Sequence, residues 1–340
     1  MRVEPDAGQS VRERAALARM TCSVLARADL VATPHEATHP AVVETAHLAQ
    51  RVLHKDPPDA QRLAALGRLL DHARADIADP PAELPWPVDL VAPRAHLDRS
   101  VARALKAIPK PKGHEDGDGA EPARTSTTVA WRAQDTETWH ATTVLLAAAW
   151  PEANAELREI LVQIALLHGA AIDGFTDFSV HGAVFVRRDR LEPGADGLPG
   201  PVRLAEALVH EGTHTRCNAA SVADEPFLRP AEGDGPLVAT PLRADPRPLT
   251  GLFQQAVVLA RSVLLYRRVL DTGTGVGGNA GTGAGGTRAT AAIRARLEQL
   301  ERSATQAAGT LVEHRHALTD HGLAVLDQVA PVVEATRVRG

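Results

Sequence analysis

Residues 210–214 read His-Glu-Gly-Thr-His, inside the run LAEALVHEGTHTRCNAA. Residues four apart on an α-helix lie on one face, so His210 and His214 offer two imidazoles to a single point, as a metal ion requires. Glu211 lies about 100° further round, within reach of a proton on metal-bound water. Leu204, Ala205, Ala207, Leu208 and Val209 lead into the first histidine, and nothing breaks the helix before Asn218. Two imidazoles do not complete a site. Glu225 and Glu232 come next in sequence, in a Pro/Gly-rich stretch, and the helix beyond them brings Gln254 and Gln255 in its first turns. The third ligand is open among Gln254, Glu225 and Glu232. Cys217, three residues after His214, reads as a small packed residue rather than a ligand.

A second HExxH string, His35-Glu36-Ala37-Thr38-His39, sits between Pro34 and Pro40. Pro40 disfavours the α conformation at His39, so these two histidines should not share a helical face. The string reads as a coincidence, with Thr38 as N-cap of a helix that carries Pro40 in its first turn. The sixteen residues from 272 to 287, TGTGVGGNAGTGAGGT, contain a formal GxGxxG, but it follows a helix rather than a strand and has no P-loop lysine. It reads as a linker, not a phosphate cradle.

The elements that must position the motif are mostly helical. Apolar spacing near 3.6 predicts helices over 10–28, 40–54, 59–77 and about 94–107, two helices over 138–168 broken near Pro151, another over 249–271, and a helical hairpin over 288–336. Strands are expected at 125–131 (TSTTVAW) and 182–186 (GAVFV). Residues 109–124 are polar and Pro/Gly-rich, and read as a disordered loop. A strand, a loop and then an HExxH helix is the order found at the core of zincin metalloenzymes, where an edge strand beside the metal holds an extended peptide. The expected fold is therefore α+β and mostly α-helical, with a zincin-like metal-site core and a small β-sheet. Its regions are a helical N-terminal part (1–108), the loop 109–124, the core (125–271), the linker 272–287 and a helical C-terminal part (288–340).

The 340 residues carry a net charge of −5, which gives no basic field for nucleic acid or an anionic membrane. No stretch reads as a membrane span or signal peptide. Two distant cysteines, Cys22 and Cys217, make neither a disulfide framework nor a zinc knuckle. A cytoplasmic location is the expectation.

From Gly182 to about Tyr266, the β segment GAVFV, the motif HEGTH and the run TPLRADPRPLTGLF leading into a helix resemble the HExxH-motif family of peptide-modification proteins found beside ribosomally made precursor peptides. The resemblance covers about a quarter of the chain. Family members commonly carry a histidine where this chain has Gln254. The resemblance implies peptide tailoring, with a ribosomal precursor peptide as partner, and points to iron(II)/2-oxoglutarate-dependent side-chain hydroxylation. Two imidazoles and one further ligand leave three positions for a bidentate 2-oxo acid and dioxygen. The distal carboxylate of 2-oxoglutarate needs a cation, for which Arg243 and Arg247 are the candidates. A zinc peptidase with Glu211 as general base is the alternative. A non-catalytic peptide-binding protein that has lost its metal is the third reading.

Overall fold

In the computed structural model, residues 1–55, 59–78, 86–108, 125–229, 237–242, 246–274 and 284–337 are described. The chain is mostly helical with a small mixed sheet, an α+β protein. It forms two compact units, each built from separate stretches of sequence rather than from the expected consecutive regions. The first comprises 1–17, 137–160 and 190–340, the second 18–136 and 161–189. The expected loop 109–124 lies outside the described residues.

Helix α1 (Ala7–Ala26) begins in the first unit and ends in the second. In the second unit, helices α2 (Pro40–Leu53) and α3 (Ala60–Ala78) form a hairpin, and α4 (Ala95–Ala107) packs on the sheet. The N-cap of α2 is His39, in extended conformation, and its ring accepts from the Ala41 N–H. Thr38, the expected cap, instead closes a short 3₁₀ turn from Glu36 to Thr38. Proline at the first helical position keeps the residue before it extended, and that fixes the cap at His39.

The sheet has five strands: β1 (Asp89–Val91), β2 (Ser126–Val129), β3 (Gln163–Gly169), β4 (Gly174–Thr176) and β5 (Ala183–Arg187). β3 is central. It pairs parallel with β5 along one edge, while β1, parallel, and β2, antiparallel, share the other. Residues 163–168, expected to continue a helix, are a strand instead. Ile164 to Leu167 are buried on both faces, and a short run that is apolar throughout carries no period to separate strand from helix. Alternate residues Ala165, Leu167, Ala183 and Phe185 join Leu97 and Val101 of α4 in one core.

β5 contains the GAVFV run expected to form an edge strand beside a metal. It is interior, paired with β3 on one side and antiparallel with β4 on the other. Its main-chain groups are therefore spent within the sheet, and no peptide can add to it there. It also belongs to the second unit, whereas residues 210–214 belong to the first.

The first unit is helical: besides the start of α1 it holds most of α5 (Ala133–Ala149), then α6 (Pro151–Ile160), α7 (Gly200–Ala223), α8 (Leu249–Thr272), α9 (Ala284–Glu313) and α10 (Asp320–Arg337). α8 lies against α7, α9 and α10. The break between α5 and α6 falls at Pro151 as predicted. Gly273, left-handed at φ 64°, terminates α8, and α9 already begins at Ala284, so the expected linker to 287 is too long. Its residues 275–283 lie outside the described ones. By length and composition α8 could cross a membrane, contrary to the expectation that no stretch comes close. However, 72% of the relevant window is buried inside the protein.

Candidate metal centre

α7 carries the HEGTH motif, and two glycines seat it. At Gly200, where the helix starts, a Cβ would lie 2.2 Å from the Leu191 carbonyl oxygen. At Gly212, inside the motif, a Cβ would come within 2.3 Å of Leu157 Cδ2, so the missing side chain lets α6 approach α7. Within the motif Gly212 thus serves packing, and α6 sets a buried side of α7.

His210 and His214 are half-buried, with ring centroids 5.1 Å apart and planes tilted by 59°. A metal about 2.0–2.1 Å from one nitrogen of each ring, in tetrahedral geometry, would hold the two centroids roughly 5 Å apart. The pair therefore fits an ion without moving the helix. Glu211 is buried, 5% exposed, and the helical repeat sets it about 100° round α7 from His210.

Gln254, in the second turn of α8, reaches this face. Its Oε1 lies 2.8 Å from His214 Nδ1, and its Nε2 donates to Asn218 Oδ1 at 3.3 Å. An amide that donates to Asn218 through its nitrogen turns its oxygen to the histidine, so His214 Nδ1 carries the proton and Nε2 the lone pair. Gln254, a candidate third ligand by sequence, thus stands where a carboxylate or carbonyl usually sits behind a metal-bound histidine. Asn218 is absent from the sequence-based candidates. It lies four residues after His214 and eight after His210, so the helical repeat that found the histidines also points to it.

The other sequence candidates are less close. Glu225 is exposed, and its carbonyl accepts from His321 Nδ1 at 2.7 Å. Glu232 and Arg243 lie outside the described residues. Arg247 exchanges two main-chain hydrogen bonds with Val238, of 2.8 and 2.9 Å, two residues before α8. Gln255, the neighbour of Gln254, donates to the Pro241 carbonyl and ties this segment to the helix. Cys217 is fully buried, and burial pushes its thiol up to about 12, which makes it an inert core residue. Among the described residues, no group of three or more His, Cys, Asp or Glu side chains is arranged to hold a metal.

Two buried networks, both invisible to motif reading, fix α7 on either side of the imidazoles. Towards its C-terminal end, Arg216 pairs with Glu13 at 2.9 Å and Glu156 at 3.4 Å, while Arg261 of α8 pairs with Glu156 and donates to the Val3 carbonyl. All four side chains are buried. Burial lifts Glu13 to about 7 against the pull of Arg216. Burial works the same way on Glu156, but Arg261 and Arg216 together hold it below its ordinary value. Towards the N-terminal end, Glu206 accepts from the Tyr266 hydroxyl at 2.6 Å and from Arg296 of α9. Burial, reinforced by Glu206, keeps that phenol protonated.

The other HExxH string does not form a second centre. His35 is exposed in the 3₁₀ turn, while His39 is buried and turns inward. Its Nε2 lies 3.3 Å from Gln163 Nε2, and Gln163 Oε1 lies 2.8 Å from His96 Nε2. Burial, then the neighbouring His96, lowers His39 to about 4.

No protein-family model matches the chain, and no curated protein matches it.

Proposed function

We propose that the chain is a metal-dependent peptide-modifying enzyme that hydroxylates a side chain of a ribosomal precursor peptide with iron(II) and 2-oxoglutarate. The observation that carries this reading is the imidazole pair at 5.1 Å with His214 held through Nδ1 by Gln254. In this reading His210 and His214 hold the ion and Gln254 orients the second of them. Bound iron(II) supplies the oxidising chemistry: C–H of the peptide, dioxygen and 2-oxoglutarate become C–OH, succinate and carbon dioxide. A ligand set that is short of protein donors suits this, because the co-substrate brings two of its own. The likeness of HEGTH and TPLRADPRPLTGLF to the HExxH-motif peptide-modification family supports a peptide substrate. Arg247, or Arg243, would hold the distal carboxylate of the co-substrate.

The test uses anaerobically purified protein. Stoichiometric iron is expected, lost in His210→Ala and His214→Ala. Incubation with the neighbouring precursor peptide, iron and 2-oxoglutarate should give an intact peptide heavier by one oxygen atom. Peptide cleavage without oxygen or 2-oxoglutarate would establish the peptidase instead, and unchanged metal content in both histidine variants would remove the site altogether.

A further inference from the structure

A cavity of about 10 Å³ lies in the first unit, where the junction of α5 and α6 meets α7 and α8. Ala153, Leu157 and Val209 supply its apolar wall, and Trp150, Glu156 and Arg261 bring polar groups to it. All six side chains are buried.

Trp150 stands between the two helices, and its main chain is used by both. Its N–H donates to the Leu146 carbonyl at 2.8 Å, and its carbonyl accepts from the Asn154 N–H at 2.9 Å. The Arg268 guanidinium lies over its ring, 4.7 Å from the centroid. The in-plane N–H is what remains. Nε1 is buried and has no hydrogen-bond partner among the described residues. An indole N–H can only donate, so it calls for an acceptor.

The two charged groups beside it also have capacity left. Arg261 Nε donates to the Val3 carbonyl, and Nη2 donates to the Arg2 carbonyl and Glu156 Oε2. Nη1, which carries two hydrogens, donates to Glu156 Oε1 alone. Glu156 Oε2 accepts from the Asp6 N–H, Arg216 and Arg261, whereas Oε1 accepts only from Arg261. A hydrogen on Nη1 and a lone pair on Oε1 are therefore unused among the described residues.

We propose that this cavity binds one ordered water molecule, which accepts from Trp150 Nε1 and Arg261 Nη1 and donates to Glu156 Oε1. The volume suits a single water, and about three partners is the usual complement of a buried one. A wholly apolar cavity would stay dry; three unspent polar groups make this one wet. A halide would face the Glu156 carboxylate and an ammonium ion the Arg261 guanidinium, so the occupant is neutral. Val209 directly precedes His210, and the water joins α6 and α8 beside that turn of α7. The assignment does not rest on the metal chemistry.

The test is NMR of the full-length, perdeuterated, ¹⁵N-labelled protein. The Trp150 indole resonance is identified as the one lost in Trp150→Phe. It should show cross-peaks to water of opposite sign in laboratory-frame and rotating-frame experiments, the signature of a water that stays bound while the protein tumbles rather than of proton exchange. In Val209→Ile, which adds a methyl group to the wall, those cross-peaks should be lost while the circular-dichroism spectrum matches the parent. A high-resolution crystal structure of the parent should show one density peak within hydrogen-bond distance of all three atoms, independently of any variant. No water cross-peak at Trp150, cross-peaks that persist in folded Val209→Ile, or no such density peak would each overturn the assignment. So would a Trp150 resonance that shifts when iodide replaces chloride, which would place a halide there instead. Metal content enters none of these readouts.

Discussion

His214 shows how much a single hydrogen bond decides at the candidate centre. The 2.8 Å contact to Gln254 sets which ring nitrogen is left to bind, and the 3.3 Å contact from Gln254 to Asn218 sets which way the amide faces. If the pair holds an ion, Gln254→Ala should leave both imidazoles in place and still weaken metal affinity by about 10–100-fold, the usual effect of removing a ligand's outer partner. Competition with a chelator of known affinity measures this. In the metal-free protein, long-range nitrogen–proton NMR correlations should report His214 protonated at Nδ1. Protonation at Nε2, together with unchanged affinity in Gln254→Ala, would show that the amide does not orient the ring. Of these three residues the sequence singled out His214 and Gln254, and it offered Gln254 as a ligand. Helical period gave the histidine. No local pattern could tell whether a glutamine forty residues away would face the ion or the ring behind it.

At the scale of elements, α2 depends on a buried histidine as its cap. His39 titrates at about 4 in the folded chain, against an ordinary value of 6.5. Between those values the unfolded chain binds a proton that the folded chain refuses. The stability from this group is thus complete above pH 6.5 and is lost as pH falls towards 4. Between pH 7.5 and 5 the loss should be about 2 kcal/mol, read from urea midpoints. His39→Asn keeps a cap that accepts from the Ala41 N–H but does not titrate, so its acid limb should be flatter than that of the parent. An acid limb of the same depth in this variant would mean that His39 does not carry the effect. The elements themselves were mostly legible. Prolines 40 and 151 start α2 and α6, and amphipathic spacing located α4 and α8. The misread element was β3, whose residues are apolar in succession because both faces of the strand are covered.

For the whole molecule, the buried Glu13–Arg216–Glu156–Arg261 cluster ties α1, α6, α7 and α8 together. Arg216→Met should cost about 3–5 kcal/mol, because it strands the buried Glu13 and leaves Glu156 with Arg261 as its remaining cation. A loss below about 1 kcal/mol in denaturant unfolding would show that water already reaches the cluster. Glu13 works in the opposite sense to His39. Its folded value of about 7 lies above the unfolded 4.5, so the folded chain holds the extra proton. Stability is greatest below 4.5 and declines as pH rises to about 7, by about 1.4 kcal/mol per pKa unit of difference. Glu13→Gln should remove that decline, and an unaltered slope from pH 5 to 8 would rule the group out. The amino-acid sequence by itself determined the features set by short-range geometry: the shared face of His210 and His214, the splitting of His35 from His39 by Pro40, and the predominance of helix. Tertiary structure alone decided that β5 lies inside the sheet, that Gln254 meets His214 and Asn218, and that four charges close over α7. Helical and strand periods repeat within a few residues and can be read from any window, whereas pairing partners and buried ions are chosen by segments far apart in the chain, whose approach no local period encodes.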